Sequence, residues 1–327
     1  MGRKAILDLL AERPGEFVSG EMMSQHLNLT RAAVWKQIQA LKALGFEVDS
    51  QTKSGYRLVK LPLALDEWIL ERELRTNALG RELHLFDTLP STNDWMKDAA
   101  RNGGAHGLVA IAKEQGEGRG RQKRCWVSPR GGLWFSVLLK PQLSLADAAK
   151  LTLVASISVA DGIEAATGIS LGIKWPNDLL FEGRKVVGIL GEVAGEWNTV
   201  QSIVLGIGIN ANLSRQQIGD DISADTLQAI LGRPMNLNTL TARILEHLEV
   251  DVEVLERQGF SSLRQRWLHR AVGIGTQAQI NQGSEVFTGT FQGISEDGEL
   301  ILAVEGGEKV FAAGEVSVRS ERGTYFQ

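Results

Sequence analysis

A chain of 327 residues with 43% hydrophobic and 23% charged side chains has the composition of an ordinary soluble globular protein, and at ~100–200 residues per domain it holds two or three domains. Its formal net charge of −4 gives no global reason to expect a polyanionic partner, so any nucleic-acid contact must come from a local patch. The single cysteine, Cys125, excludes an intramolecular disulfide and a cysteine metal cluster; no stretch reaches the ~18 apolar residues of a membrane helix, and Asp8 and Glu12 interrupt the N-terminal apolar run. The expectation is a cytoplasmic protein with no membrane contact.

Residues 3–12 place apolar side chains at helical spacing and end before Pro14-Gly15. Ser19 is an N-cap for a short helix over 20–27, and Thr30 caps a longer one running to Leu44. In that third helix Val34, Ile38 and Leu41 fall at i, i+4 and i+7 and face inward, which leaves Arg31, Trp35, Lys36 and Gln39 outward. Phe46 to Leu58 is a hairpin around Lys53-Ser54-Gly55. Helix, helix, turn, helix, hairpin is the winged helix-turn-helix plan, with 30–44 as the helix aimed at a major groove. Residues 1–60 carry nine Lys/Arg against six Asp/Glu, a local balance of +3 that suits phosphate. The expected DNA-contacting set is Ser19, Thr30, Arg31, Trp35, Lys36, Gln39 and Lys53. The blander alternative is a protein-interaction module; Trp35 either touches DNA or packs on the wing.

Pro62 marks a linker, and 65–74 is a short connecting helix. A strand over 84–86 leads to Ser91-Thr92-Asn93, three small polar residues that on their own could be a helix cap. The strand 107–113 delivers QGEGRGRQKRCWVSPRGG, residues 115–132. Here five glycines and five cations are opposed by Glu117 alone, just before the apolar strand 133–139. Glycine lets backbone approach a ligand and arginine supplies permanently charged planar donors. A flexible linker has the same composition, but a basic loop moored to a core strand reads as an anion-binding lid. A long buried helix follows over 145–167. Next, Pro176 ends a strand and Asn177-Asp178 present an amide and a carboxylate at its exit; the strand 186–193 turns at 195–197 into 202–210. No GxxxxGK[ST] loop is present. Gly206-Ile207-Gly208-Ile209-Asn210-Ala211 fits the loose GxGxxA pattern, but a hairpin setting argues against a dinucleotide fold. Residues 237–267 are amphipathic helix.

From Thr276 the periodicity changes to two, with Asp297-Gly298 and Gly306-Gly307 as hairpin turns. Strands near 276–280, 285–295, 299–304, 308–312 and 315–319 suggest a small SH3-like β-barrel, with Asp297 and Glu299 as turn and rim. The class is α+β in three parts: a winged helix-turn-helix over 1–62, a central α+β domain over 63–272 and the barrel over 273–327.

Taken together, GRGRQKRCWVSPRGGLWFS, KWPNDLL, RKVVGIL, STN and GIGIN resemble the biotin protein ligases, and the N-terminal module resembles the bifunctional subclass that also represses the biotin operon. The resemblance spans essentially the whole chain. It implies a central domain of the biotin/lipoate-ligase type. It implies formation of biotinyl-5′-adenylate from biotin and ATP with Mg²⁺, transfer of the acyl group to a lysine of a biotin carboxyl carrier protein, and an adenylate-loaded homodimer on operator DNA. By residue match, Ser91, Thr92, Asn93, Gln115, Arg119, Gly120, Arg121 and Lys185 surround biotin. Arg119, Arg121, Arg124, Trp126, Asn177 and Asn210 meet ATP or the adenylate. Arg121, Lys185 and Asp178 carry the chemistry, with Asp178 also the candidate metal contact. Cys125 sits where many relatives carry a basic residue and reads as a packing substitution. Ordering about ten residues costs on the order of 10 kcal/mol of backbone entropy, so loop 116–125 is expected to be disordered until ligand arrives. The rival readings are a non-catalytic biotin-sensing regulator and a lipoate or octanoate ligase.

Overall fold

The computed structural model describes residues 2–196, 199–219, 223–282, 284–312 and 316–320. The chain divides into two compact units, one ending at Arg72 and one beginning at Glu73.

The first unit contains helices α1 (Gly2–Ala11), α2 (Gly20–His26) and α3 (Arg31–Ala43), the hairpin β1 (Glu47–Gln51) and β2 (Gly55–Lys60), and helix α4 (Glu67–Glu73). The caps are where the sequence places them: Ser19 Oγ accepts from Met22 N at 3.0 Å, and Thr30 Oγ1 accepts from Ala33 N at 3.1 Å. Val34, Ile38 and Leu41 are buried with Ile6, Leu7, Leu10 and Phe46. Thr30, Arg31, Trp35, Lys36, Gln39 and Lys53 are exposed, and Arg31 pairs with Glu21 at 2.7 Å. Trp35 is 56% exposed, so the reading in which it packs on the wing is not realised.

Helix α4 also departs from expectation. It was read as a connection, yet Trp68 and Ile69 belong to the N-terminal core. Trp68 meets the Phe46 ring edge-on at 6.5 Å and its Nε1 donates to Asp8 Oδ1 at 2.7 Å. The unit therefore runs on past residue 62.

The second unit is built on a seven-stranded sheet. Its strands are β3 (Leu83–Phe86), β4 (Val109–Ala112), β5 (Leu133–Leu139), β6 (Gly172–Lys174), β7 (Asp178–Phe181), β8 (Arg184–Glu196) and β9 (Thr199–Ile209), in the spatial order β3-β4-β5-β9-β8-β7-β6. Pairing is antiparallel except between β3 and β4. The turn expected at 195–197 lies partly outside the described residues; β8 and β9 each run further toward it than the sequence suggested. Helix α5 (Thr92–Arg101) is capped by Ser91, the first of the three small polar residues. The long helix α6 (Leu145–Thr167) is buried along most of its length and packs on α8 (Leu237–Gln258). Contact is close at Gly162, where a Cβ would lie 2.7 Å from Ile244 Cα. Helices α7 (Leu227–Leu231) and α9 (Ser261–Arg270) complete this part.

The C-terminal strands β10 (Gln277–Gln282), β11 (Glu285–Ile294), β12 (Leu300–Val304), β13 (Gly307–Phe311) and β14 (Val316–Ser320) form one antiparallel sheet in the order β13-β12-β11-β10-β14. The turn Asp297-Gly298 does more than reverse the chain. Lys150 of α6 pairs with Asp297 at 2.9 Å, and Gly298 O accepts from Trp175 Nε1 at 3.0 Å. Among the described residues no helix is long and apolar enough to cross a membrane.

Removing the indole of Trp68 empties the seam between α4 and the helical core and takes from Asp8 the Nε1 hydrogen bond. Trp68→Ala is expected to destabilise the N-terminal unit by about 3–5 kcal/mol, measured as a denaturant transition that moves while the second unit's transition stays in place.

Candidate active site

One cleft of about 1040 Å³ opens on the face of the seven-stranded sheet, and all the expected small-molecule site residues line it: Ser91, Thr92, Asn93, Gln115, Arg119, Gly120, Arg121, Arg124, Trp126, Asn177, Asp178, Lys185 and Asn210. The DNA-facing set belongs to the other unit and is not part of this cleft.

One end is neutral and hydrogen-bonded. Gln115 Oε1 accepts from Thr92 N at 2.8 Å and from Thr92 Oγ1 at 3.1 Å, while Gln115 Nε2 donates to Ser128 Oγ at 3.0 Å. The Ser136 hydroxyl lies 2.8 Å from Thr92 Oγ1 and 2.6 Å from Asn93 Oδ1, and Asn93 Nδ2 donates to Glu192 Oε2 at 2.8 Å. Ser91 has two roles, since it caps α5 through Asp94 N and is itself buried at the cleft wall. The result is a fixed set of donors and acceptors, with each amide oriented by a partner at both ends.

The other end is cationic. Arg121, Arg124, Lys174 and Lys185 line it together with Asp178 and Glu182. Arg121 Nη1 donates to Asn177 Oδ1 at 3.3 Å, and Asn177 Nδ2 donates to Ile189 O at 2.8 Å. Lys185 Nζ pairs with Asp178 Oδ1 at 2.5 Å and sits 5.0 Å from the centre of the Trp126 ring. Burial draws the Arg121 guanidinium below its ordinary value; Asp178 pulls it back up and Arg124 pushes it down. A partly desolvated cation of this kind acts on a nearby negative charge more strongly than one in water.

Loop 116–125 forms a hairpin at the cleft. Trp126 N donates to Gly118 O and Gly120 N to Arg124 O, both at 2.8 Å, and a 3₁₀ turn over Arg121–Lys123 closes the tip. The hairpin is possible because Gly118 has no side chain: a Cβ there would lie 2.3 Å from Trp126 O. Arg119 pairs with Asp94 of α5. Cys125 is exposed, which overturns its reading as a packing substitution; at the lid surface there is nothing for it to pack into.

Three glycines, given no site role in the sequence reading, form the floor. A Cβ on Gly206 would lie 2.1 Å from Asn93 Oδ1, one on Gly208 would lie 2.6 Å from Trp126 Nε1, and one on Gly188 would lie 3.0 Å from the Trp126 ring. Gly206 and Gly208 are the glycines of the GxGxxA match. They sit inside the antiparallel strand β9 rather than at a strand-to-helix turn, so the pattern serves close packing and not a dinucleotide. Lys174, the first residue of KWPNDLL, is buried in the wall without having been given a role, and Glu192, behind Asn93, is a further site residue that no motif singled out. Trp175 and Pro176 are joined by a cis peptide bond at the turn that presents Asn177 and Asp178. Among the described residues no group of three or more His, Cys, Asp or Glu is arranged to hold a metal ion.

Comparison with known proteins agrees with this arrangement. Residues 85–210 match the model of the Biotin/lipoate A/B protein ligase family, residues 3–57 match an HTH domain and residues 273–319 match the Biotin protein ligase C terminal domain. The chain is 36% identical to the Bifunctional ligase/repressor BirA of Bacillus subtilis, over 95% of this chain and 97% of that one. It is 31% identical to the protein of the same name in Escherichia coli, over 96% of each. Among solved structures it is similar to the biotin protein ligase from Aquifex aeolicus in complex with biotin and ATP, with a TM-score of 0.65, 29% identity and coverage of 74% of this chain and 100% of that one.

The bare floor is directly testable. Gly206→Ala sets a methyl group against Asn93 and is expected to destabilise the second unit by about 1–3 kcal/mol through overpacking, read as a lower unfolding midpoint. A midpoint equal to wild type would show that Asn93 does not need this space.

Proposed function

The chain belongs to the biotin protein ligase family, in its bifunctional ligase and repressor branch, and on that premise we propose that it joins biotin to ATP and passes the acyl group to a carrier lysine. The observation that carries this reading is the division of one cleft into a neutral, fully hydrogen-bonded end and a cationic end under a folded lid.

The neutral end suits a ureido ring, which offers both donors and an acceptor; Ser91, Thr92, Asn93 and Gln115 are its proposed contacts. The biotin carboxylate then points toward the cations. In the first step a carboxylate oxygen attacks the α-phosphorus of ATP and pyrophosphate leaves. Two anions must approach one another, so Arg119, Arg121, Arg124 and Lys185 offset the repulsion and hold the charge that develops. Gly120 lies on the biotin side, while Trp126 offers a ring face to adenine, with Asn210 at the edge of the nucleotide. Mg²⁺ would arrive with the triphosphate; Asp178 is a hard oxygen ligand at the correct end, and an ion held mainly by phosphate and water needs only one or two such ligands.

In the second step the acceptor lysine must lose a proton before its amine attacks the acyl carbon and AMP departs. Asp178 is the proposed base, helped by Asn177 in orienting the incoming amine. Its ion pair with Lys185 suggests an order of events: Lys185 turns to the phosphate as the nucleotide binds, and that releases the carboxylate for the proton. The substrates are thus biotin, ATP and a biotin carboxyl carrier protein.

In the N-terminal unit, α3 is the proposed recognition helix, with Thr30, Arg31, Trp35, Lys36 and Gln39 toward the groove and Ser19 and Lys53 toward phosphate. One such module binds weakly, so repression of the biotin operon calls for two copies, and we propose the adenylate-loaded homodimer as the species on operator DNA. Work on an operator and on a carrier enzyme belongs in the cytoplasm.

Incubation with biotin, ATP and an apo carrier domain is expected to add one biotin to one carrier lysine with release of AMP and pyrophosphate; an unmodified carrier would overturn the ligase reading. Lys36→Ala is expected to weaken binding about equally across sequences and to reduce the slope of log K against log salt by about 1, as loss of one phosphate contact does. An unchanged slope in a gel-shift series would remove Lys36 from the contact set.

A further inference from the structure

Lys185 and Gly188 face the same side of the sheet: a Cβ on Gly188 would lie 3.4 Å from Lys185 Cε. Residues three apart on a regular strand face opposite sides. The exception has a visible cause. Opposite β7 the register of β8 jumps, with Leu179 facing Val187 and Leu180 facing Lys185, so Val186 is the extra residue of a β-bulge. The bulge turns Lys185 toward the cleft, and a one-residue slip would turn it away.

What holds the bulge is a closed ring of bonds around Asp225. Lys185 N donates to Ser223 O at 2.7 Å, Asp225 N donates to Lys185 O at 2.9 Å and Asn210 N donates to Val186 O at 3.0 Å. Asn210 Nδ2 donates to Asp225 O at 3.2 Å, which closes the ring. The Asp225 side chain, 3% exposed, is fixed in turn. Arg215 reaches it with Nε at 3.0 Å and Nη2 at 2.8 Å, Arg184 with Nη1 at 3.3 Å, and Thr226 N donates to Oδ1 at 2.9 Å. Arg184 is the neighbour of Lys185 on β8. It too borders the cleft, and its bond to Asp225 holds it at the rim while the bulge turns Lys185 inward.

We propose that Asp225, clamped by Arg215 and Arg184, is a positioning residue for adenylate formation: it locks the bulge of β8 so that Lys185 and Asn210 are held toward the cleft. This rests on the role given to Lys185 above. Burial pushes the Asp225 carboxyl up, but Arg215, the Thr226 amide and Arg184 outweigh it and leave it below the usual carboxylate range, so the clamp is charged at neutral pH. The neutral end of the cleft lies outside this ring. The ureido-facing residues make no bond to the ring, so loss of the clamp acts more on turnover than on biotin affinity.

The test is biotin-dependent ATP–pyrophosphate exchange by the full chain, with amide hydrogen exchange measured on the same samples. Asp225→Asn is expected to lower kcat by about 10- to 100-fold, as misplacement of a catalytic group by around an ångström does, with the biotin KM within about twofold of wild type. The amides of Lys185 and Asn210 are expected to lose protection. Arg215→Ala, at a half-exposed side chain that threatens folding least, is expected to reproduce part of the loss, and Arg215→Lys to restore some of it. The double variant Asp225→Asn with Arg215→Ala should fall no further than Asp225→Asn alone, because both act through one clamp. Wild-type kcat in Asp225→Asn or in Arg215→Ala, or unchanged protection at Lys185, would overturn the proposal. So would a biotin KM that rises in step with the fall in kcat. Absence of exchange in wild type would refute the ligase reading, and the protection of Lys185 would still judge the clamp.

Discussion

The sheet can carry a ligand cleft on its face because Gly188, Gly206 and Gly208 leave backbone where side chains would otherwise stand. Asn93 and Trp126 descend into that space, and their positions decide the rest. Asn93 is gripped by Ser136 and Glu192 and so fixes the hydrogen-bonding end; Trp126 lies over the strands and receives Lys185 on its ring. A Cβ at Gly206 would lift Asn93, and one at Gly188 or Gly208 would lift Trp126. The glycines weaken the strands they sit in, and β8 and β9 offset that by being the longest paired strands of the sheet.

Charge is distributed with similar economy. The lid's cations are not simply massed against solvent, since Arg119 is held by Asp94, Arg121 by Asn177 and Lys185 by Asp178. Each of these partners is a group that a ligand phosphate can displace. The cations are thus partnered rather than left as bare positive charge, and the hairpin bonds of residues 118–126 hold the arginines at the cleft.

Local signals in the sequence led to correct elements. The caps Ser19, Thr30 and Ser91 and the inward spacing of Val34, Ile38 and Leu41 placed the helices, and the basic glycine-rich stretch and Asn177-Asp178 marked two walls of one cleft. What was illegible depends on distant partners. Glu192 meets Asn93 from 99 residues away and Asp225 meets Arg184 from 41, and neither carboxylate lies in a recognisable motif. The Gly-Ile-Gly pattern was visible, but its meaning was not, because what a glycine makes room for is set by the strand beside it. The connecting helix over 65–74 and the packing reading of Cys125 erred for a related reason: burial is a property of the assembled core, which buries Trp68 and leaves Cys125 exposed.

The bond from Trp175 to Gly298 ties the turn bearing Asn177 and Asp178 to the tip of a C-terminal hairpin, while Asp297 beside it grips the long helix through Lys150. Mechanically this makes the small sheet a lever whose short arm ends behind the catalytic turn. A displacement of that hairpin tip would be felt at the turn bearing Asn177 and Asp178, although among the described residues no C-terminal side chain lies in the cleft lining.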